Sequence, residues 1–215
     1  MLLLDSALEV VPKELASHPQ VVKTARRYGL RPEEMVLDAG LHWKAMRSLE
    51  GWWRRGRPDI VHLSLLNLLE KRPVLEGKVE VYMHVQDGRV FAFAPDVRVP
   101  KNYDRFKGLM AQLLRNNRVP PSGRPLAWKV ADSLRDFLGD RRVIVFSEGG
   151  ASSDTLSVLR EASSLGVPVG FGAFPRGDFS DEVKSLALKY YRIREGEPLK
   201  SWDVACSIAN AYYEL

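Results

Sequence analysis

At 215 residues, 45% hydrophobic and 27% charged, the chain can form one substantial core or at most two small ones, and its single cysteine, Cys206, excludes an intramolecular disulfide and a cysteine-based metal cluster. The formal net charge of +5 is uneven: residues 140–215 carry 9 Lys/Arg against 11 Asp/Glu, which leaves 23 against 16 in residues 1–139. That surplus suits the first two-thirds of the chain to a polyanion such as RNA, because Lys and Arg supply most non-specific affinity by neutralising phosphates; a solvated basic surface is the other reading.

The opening Met1-Leu2-Leu3-Leu4 reads as a buried strand, and Asp5 ends it far short of the roughly 20 apolar residues of a membrane span. A soluble, unprocessed, cytoplasmic protein is expected. Ser17 and Pro19 open a helix that stops at Gly29. A second helical pattern from His42 to Leu49 leads into the loop Gly51-Trp52-Trp53-Arg54-Arg55-Gly56-Arg57-Pro58. From Asp59, the stripe Ile60, Leu63, Leu66 and Leu69 predicts a helix whose first turn Asp59 caps, with His62 off the stripe and partly exposed. Alternation in Val79–Val85 and Val90–Phe93 around Asp87-Gly88 predicts a β-hairpin. Asn102 then starts a helix that ends before the break at Val119–Pro125.

Beyond it, a helix is expected near Trp128 to Leu138. The apolar runs Val143–Phe146, Val167–Phe171 and Tyr190–Ile193 alternate with helices, one of them around Thr155 to Ser163. This predicts an α/β fold with a parallel sheet core, whose ligands lie beyond the carboxyl ends of the strands. The loops there are Ser147–Gly150, Gly170–Gly177 and Arg194–Leu199. All three contain glycine, which lets a backbone approach a flat nucleoside closely, although glycine also serves ordinary turns. Neither a Gly-x-Gly-x-x-Gly after the first strand nor a phosphate-loop lysine motif occurs. His18, His42, His62 and His84 show no metal-ligand spacing, and no metal site is expected.

Two further groups carry chemistry. Arg98, Lys101, Arg105 and Lys107 alternate with Tyr103 and Phe106; cations for phosphates and rings for unstacked bases grip looped RNA, unless the rings are core and the cations solvated. Pro58 holds Arg57 extended, and Asp59 two residues on either fixes that guanidinium by a charge-assisted bond, caps the helix, or does both.

These stretches resemble the pseudouridine N1-methyltransferases of ribosome biogenesis, in their archaeal form, a family of the SPOUT or α/β-knot class. The resemblance rests on Arg57-Pro58-Asp59-Ile60-Val61-His62, on Arg98-Val99-Pro100-Lys101-Asn102-Tyr103-Asp104-Arg105-Phe106-Lys107-Gly108-Leu109-Met110, and on Gly170-Phe171-Gly172-Ala173-Phe174-Pro175-Arg176-Gly177 with Pro198-Leu199. Leu3–Glu9 and Leu37–Met46 add to it, so it covers nearly the whole chain in order.

The resemblance implies one SPOUT domain over residues 1–215, with a basic RNA-binding part over about 40–120 and a C-terminal trefoil knot over about 142–215 that binds S-adenosylmethionine. It implies a homodimer, small-subunit rRNA as partner, and methylation of ring nitrogen 1 of a pseudouridine. Arg57, Arg98, Lys101 and Arg105 match RNA-contacting positions, and Asp59 matches the residue that steadies Arg57; as a general base Asp59 is the weaker candidate. Gly172, Gly177, Ile193, Arg194, Glu195, Gly196, Glu197, Pro198 and Leu199 match cofactor-binding positions. The third loop departs from the family, which has serines and a tyrosine where Arg194–Glu197 stand here. That departure leaves a non-catalytic rRNA-binding assembly factor of the same fold as the alternative.

Overall fold

Leu2, Leu3 and Leu4 are fully buried because strand β1 (Leu2–Ser6) is paired in parallel on both edges, with β2 (Val81–Val85) on one side and β7 (Val169–Gly172) on the other. A strand buried on both faces reads as a continuous apolar run. Leu3 joins one core cluster, with Ile144, Phe146 and Phe171, while Leu2 and Leu4 join a second with Val143 and Val145. The computed structural model describes residues 1–193 and 199–215.

Between β1 and β2 lie α1 (Pro19–Tyr28), α2 (Ala39–Met46), α3 (Pro58–Leu69) and the short α4 (Arg72–Leu75). The predicted hairpin is β2 with β3 (Val90–Phe93), followed by α5 (Tyr103–Asn116), β4 (Arg118–Val119), β5 (Ala127–Ala131) and α6 (Leu134–Leu138). The rest alternates: β6 (Val143–Ser152), α7 (Thr155–Leu165), β7, α8 (Asp181–Leu186), β8 (Ala187–Arg192) and α9 (Ser201–Ala211). Strand order is β4-β5-β3-β2-β1-β7-β6-β8, with β2, β1, β7, β6 and β8 parallel and the hairpin side antiparallel. α9 packs on α3 and α7 over one face; α6 and α8 cover the other.

Helix starts follow local chemistry. Asn102, Ser133, Asp154 and Ser180 each accept a main-chain N–H from the first turn they cap. α1 is capped by His18 instead of Ser17: its Nδ1 accepts the N–H of Gln20 at 3.2 Å. At the other end Gly29 adopts the left-handed conformation that closes the helix.

Four expectations need correction. Ala127–Ala131 is a strand, not the start of a helix: the helix-forming Ala and Lys there yield to backbone pairing with both β3 and β4. Ile60 and Leu69 of the expected α3 stripe are buried, but Val61, Ser64, Leu65 and Leu68 make up the rest of that face, with Leu66 half-buried and Leu63 39% exposed. His62 is buried, not exposed, because α5 lies over it: its ring stacks on Phe106 at 4.3 Å and Tyr103 at 5.7 Å. Finally, β6 continues to Ser152 in place of a loop at 147–150, but Tyr191 pairs with both Phe146 and Ala151, so residues 147–150 stand outside the ladder. A Cβ on Gly150 would lie 2.5 Å from the Tyr190 carbonyl carbon, an approach only glycine permits.

A candidate active-site cleft at the strand ends

A cleft of about 780 Å³ opens beyond the carboxyl ends of β6, β7 and β8, where an open α/β sheet places its ligands. One wall is Phe146, the last residue of the first β6–β8 ladder segment, with Ser147–Gly149 outside the ladder; a second is Phe171, Gly172 and the loop Phe174–Phe179. Tyr191, Arg192 and Ile193 follow from β8, Leu199–Trp202 and Val204 from the start of α9, and Arg57 and Ile60 from the start of α3. Ser201 Oγ donates to the Gly172 carbonyl at 2.7 Å, fixing the α9 start to the end of β7.

Arg57 precedes Pro58, the first residue of α3, and Asp59 grips it twice: Nε donates to Oδ1 at 2.8 Å and Nη2 to Oδ2 at 2.7 Å. This bidentate bond holds the guanidinium above its ordinary pKa and fixes its plane. Asp59 therefore orients Arg57, and among the described residues its carboxylate accepts no main-chain cap bond. The backbone is fixed as well, since the Arg57 N–H donates to Ala7 O and the Ala7 N–H donates to Ala173 O, both at 2.9 Å.

Next to this link sits Asp5, 2% exposed and held at φ +48°. Its carboxylate accepts the Ser180 N–H at 2.6 Å and the Ser180 hydroxyl at 2.8 Å, and faces Arg54 at 3.5 Å and His84 Nδ1 at 3.6 Å. The Arg54 guanidinium lies over the Phe174 ring at 5.0 Å. One buried acid thus joins β1, β2, the start of α8, the 51–57 loop and the cleft loop of β7. Burial lowers the pKa of His84 despite the carboxylates of Asp5, Glu182 and Asp87.

Arg98, Lys101 and Arg105 are exposed and lie outside the cleft lining. Lys101 has only a 3.8 Å approach to Glu70. Their segment is moored to α3 by His62, whose Nε2 lies 2.7 Å from the Pro100 carbonyl. Between segment and cleft, Lys107 Nζ donates to Asp38 at 2.9 Å and Tyr103 OH donates to the same oxygen at 3.3 Å. Burial, with Asp38 and Asp59 nearby, pushes the Tyr103 phenol far up. For Lys107 burial acts downward, and the Asp38 and Asp104 carboxylates outweigh it.

The expected cofactor positions Gly172, Gly177, Ile193 and Leu199 all line the cleft. Arg194, Glu195, Gly196, Glu197 and Pro198 lie outside the described residues, and so does the stretch on which the expected threading of the C-terminal chain turns. Local packing requires both glycines: a Cβ on Gly172 would come within 2.7 Å of the Phe174 ring, and Gly177 has φ +89°. The volume falls within the usual range for small-molecule sites. Among the described residues, no group of three or more His, Cys, Asp or Glu could hold a metal ion, and no helix is long and apolar enough to cross a membrane. Asp5, Ile60 and Ser201 have no site role in the sequence reading, since nothing local distinguishes an acid ending an apolar run, an isoleucine of a helical stripe or a serine starting a helix.

Residues 1–213 match the family model described as EMG1/NEP1 methyltransferase. The chain belongs to this family. Among EMG1/NEP1 relatives, the ribosomal RNA small subunit methyltransferase Nep1 of Aeropyrum pernix is 45% identical over 214 residues, 99% of this chain and 96% of that protein. The protein of the same description from Sulfurisphaera tokodaii is 44% identical over 214 residues, 98% of this chain and 94% of that one. The crystal structure of Archaeoglobus fulgidus Nep1 bound to S-adenosylhomocysteine matches with a TM-score of 0.88 at 34% identity, covering 99% of this chain and 96% of that one. The resemblance read from the sequence is thus an EMG1/NEP1 membership, and the α/β architecture with its parallel core is that of an EMG1/NEP1 structure.

Proposed function

We propose that this chain methylates ring nitrogen 1 of a pseudouridine in small-subunit rRNA, using S-adenosylmethionine. The observation that carries this reading is that Arg57, from the RNA-facing part, and Gly172, Gly177, Ile193 and Leu199, from the cofactor part, line one cleft. The relatives named as small-subunit rRNA methyltransferases and the neighbour with bound S-adenosylhomocysteine support catalysis over a non-catalytic assembly factor. The basic part over about 40–120 and the cofactor part over about 142–215 act within one domain, in a cytoplasmic homodimer.

Bound in the cleft, the cofactor supplies an electrophilic methyl group on a sulfonium. Gly172, Gly177, Ile193 and Leu199 hold it there, and Arg98, Lys101 and Arg105 hold phosphates of the RNA. With Nε and Nη2 committed to Asp59, Arg57 turns Nη1 to the uracil ring and stabilises the charge that develops as nitrogen 1 loses its proton. Of the two carboxylates that line the cleft among the described residues, Asp178 is held below the usual range by Lys184. Glu148 has no ion pair among the described residues, so the proton leaves to it or to a water beside it. Orientation of ring nitrogen and methyl supplies much of the acceleration.

The test is titration with S-adenosylmethionine together with methyl transfer to an rRNA hairpin containing pseudouridine and to its uridine counterpart. Cofactor binding with transfer to the pseudouridine hairpin alone is expected. Tight hairpin binding without cofactor binding would establish the assembly-factor reading instead.

A further inference from the structure

The 51–57 loop carries a feature that the proposed chemistry does not use. Trp52, in the short 3-10 turn Trp52–Arg54, packs against the buried cluster of Leu37, Met46 and their neighbours. Trp43, on α2, meets it edge-on at 4.8 Å, and Trp53 does so at 6.3 Å, with interplanar angles of 85° and 84°. Trp43 and Trp53 are each 49% exposed. Single exposed apolar residues are ordinary, but large rings joined into a patch mark an interaction surface.

The patch is continuous with the cleft. The Trp53 indole nitrogen lies 3.9 Å from where a Cβ on Gly177 would stand, with the Arg54 side chain at 3.6 Å from the same point. It is also cationic, because residues 43–57 hold five Lys/Arg and one Asp/Glu. Lys44 and Arg47 flank Trp43, exposed and without an acidic partner among the described residues. A second copy docking this patch on itself would bring like charges together. A polyanion with accessible π faces suits it, because aromatic rings stack on unpaired bases while cations track the backbone.

We propose that Trp43, Trp52 and Trp53 form a stacking platform for unpaired nucleobases next to the target nucleotide, receiving the single-stranded part of the RNA where it leaves the cleft. The platform rests on the reading of the cleft as an RNA-modifying site, and it assigns the specificity for a looped substrate to rings set on a rigid base beside the cofactor loop.

The experiment compares binding of a labelled RNA hairpin with an unpaired loop and of a blunt duplex of equal length, at several salt concentrations, to the wild type, Trp43→Ala, Trp53→Ala and Trp53→Phe. Each alanine variant is expected to weaken hairpin binding about tenfold, with the duplex unaffected and the slope of log K against log salt unchanged, because stacking releases no counterions. Trp53→Phe keeps a ring and retains most of the affinity. Equal hairpin affinity in the alanine variants, an equal loss for hairpin and duplex, or a wild-type dimer that the substitutions dissociate would each overturn the platform. Methyl transfer by the wild type is scored separately; its failure alongside a hairpin-selective loss would remove the methyltransferase reading and leave the RNA site standing.

Discussion

The N–H of Arg57 donates to the carbonyl of Ala7 at 2.9 Å, and through Ala7 the arginine is one residue away from Ala173, which accepts the Ala7 N–H. The segment after β1 therefore sets the spacing between Arg57 and the loop that carries Gly172 and Gly177. A backbone link has no rotamers to lose, so the two halves of the cleft come together already placed.

On this frame the Arg57–Asp59 pair separates orientation from charge. Arg57→Ala is expected to lower kcat/KM by about 100-fold or more, the scale of losing one donor to a developing anion. Arg57→Lys recovers little, since an ammonium cannot make the forked bond to Asp59. Asp59→Ala leaves the arginine but frees its plane, for a loss of about tenfold. Affinity for S-adenosylhomocysteine, measured by calorimetry, stays within twofold in all three; a parallel loss there would show that the pair supports the cofactor side instead.

Arg98, Lys101 and Arg105 should act through phosphates. Each alanine substitution is expected to weaken RNA binding uniformly across sequences and to reduce the salt slope by about 1. Pseudouridine-against-uridine discrimination stays unchanged, because phosphates carry no base identity. Anisotropy titrations over a salt series read both quantities, and an unaltered slope would remove these residues from the interface.

Asp5 is expected to matter more for stability than for chemistry. Asp5→Ala strands Arg54 and the Ser180 donors and places an alanine at φ +48°, for a cost of about 3 kcal/mol, or roughly 6–12 °C in Tm for a chain of this size. Asp5→Asn costs less, because asparagine tolerates the left-handed region and still accepts from Ser180. Thermal melts of the two variants check the order, and equal melting temperatures would refute it.

What was legible in the sequence follows from how local the cause is. The runs Val143–Phe146 and Val167–Phe171 declare strands by themselves, and Pro58 with Asp59 declares the held arginine within three residues. Asp5 could not be seen as a hub, because Ser180 lies 175 positions away and the His84 ring nitrogen that accepts its N–H lies 79 away. His62 was misjudged for the same reason: its partners Pro100 and Phe106 belong to another element. Ala127–Ala131 was misread because its propensity and its tertiary pairing disagree, and pairing with two neighbouring strands decides such cases.

Two buried histidines make stability depend on pH. Burial lowers the pKa of His42 and of His84 from the ordinary 6.5. The unfolded chain thus takes up protons near pH 6.5 that the folded chain refuses, so their contribution is complete above that value and is lost as pH falls toward the folded pKa. The urea midpoint is expected to fall between pH 7.5 and 5.5, above the range where most carboxylates titrate. His42→Gln should flatten part of that fall, and a midpoint constant over this interval would show that neither histidine resists protonation.

The glycines of the β7 loop give the most direct test of the cofactor side. A Cβ at Gly172 would meet the Phe174 ring at 2.7 Å, and that ring carries the Arg54 guanidinium and meets Phe179 edge-on at 5.3 Å, so Gly172→Ala displaces the wall of the cleft where it borders the second core cluster. At Gly177 the obstacle is the backbone itself, since φ +89° is strained for any L side chain. Both variants are expected to keep their far-ultraviolet circular dichroism and a melting temperature within a few degrees of wild type, while affinity for S-adenosylmethionine falls about tenfold or more and affinity for the RNA hairpin is retained. If instead cofactor affinity is unchanged and hairpin binding drops, this loop faces the RNA, and the cofactor belongs against the opposite wall formed by Phe146–Gly149.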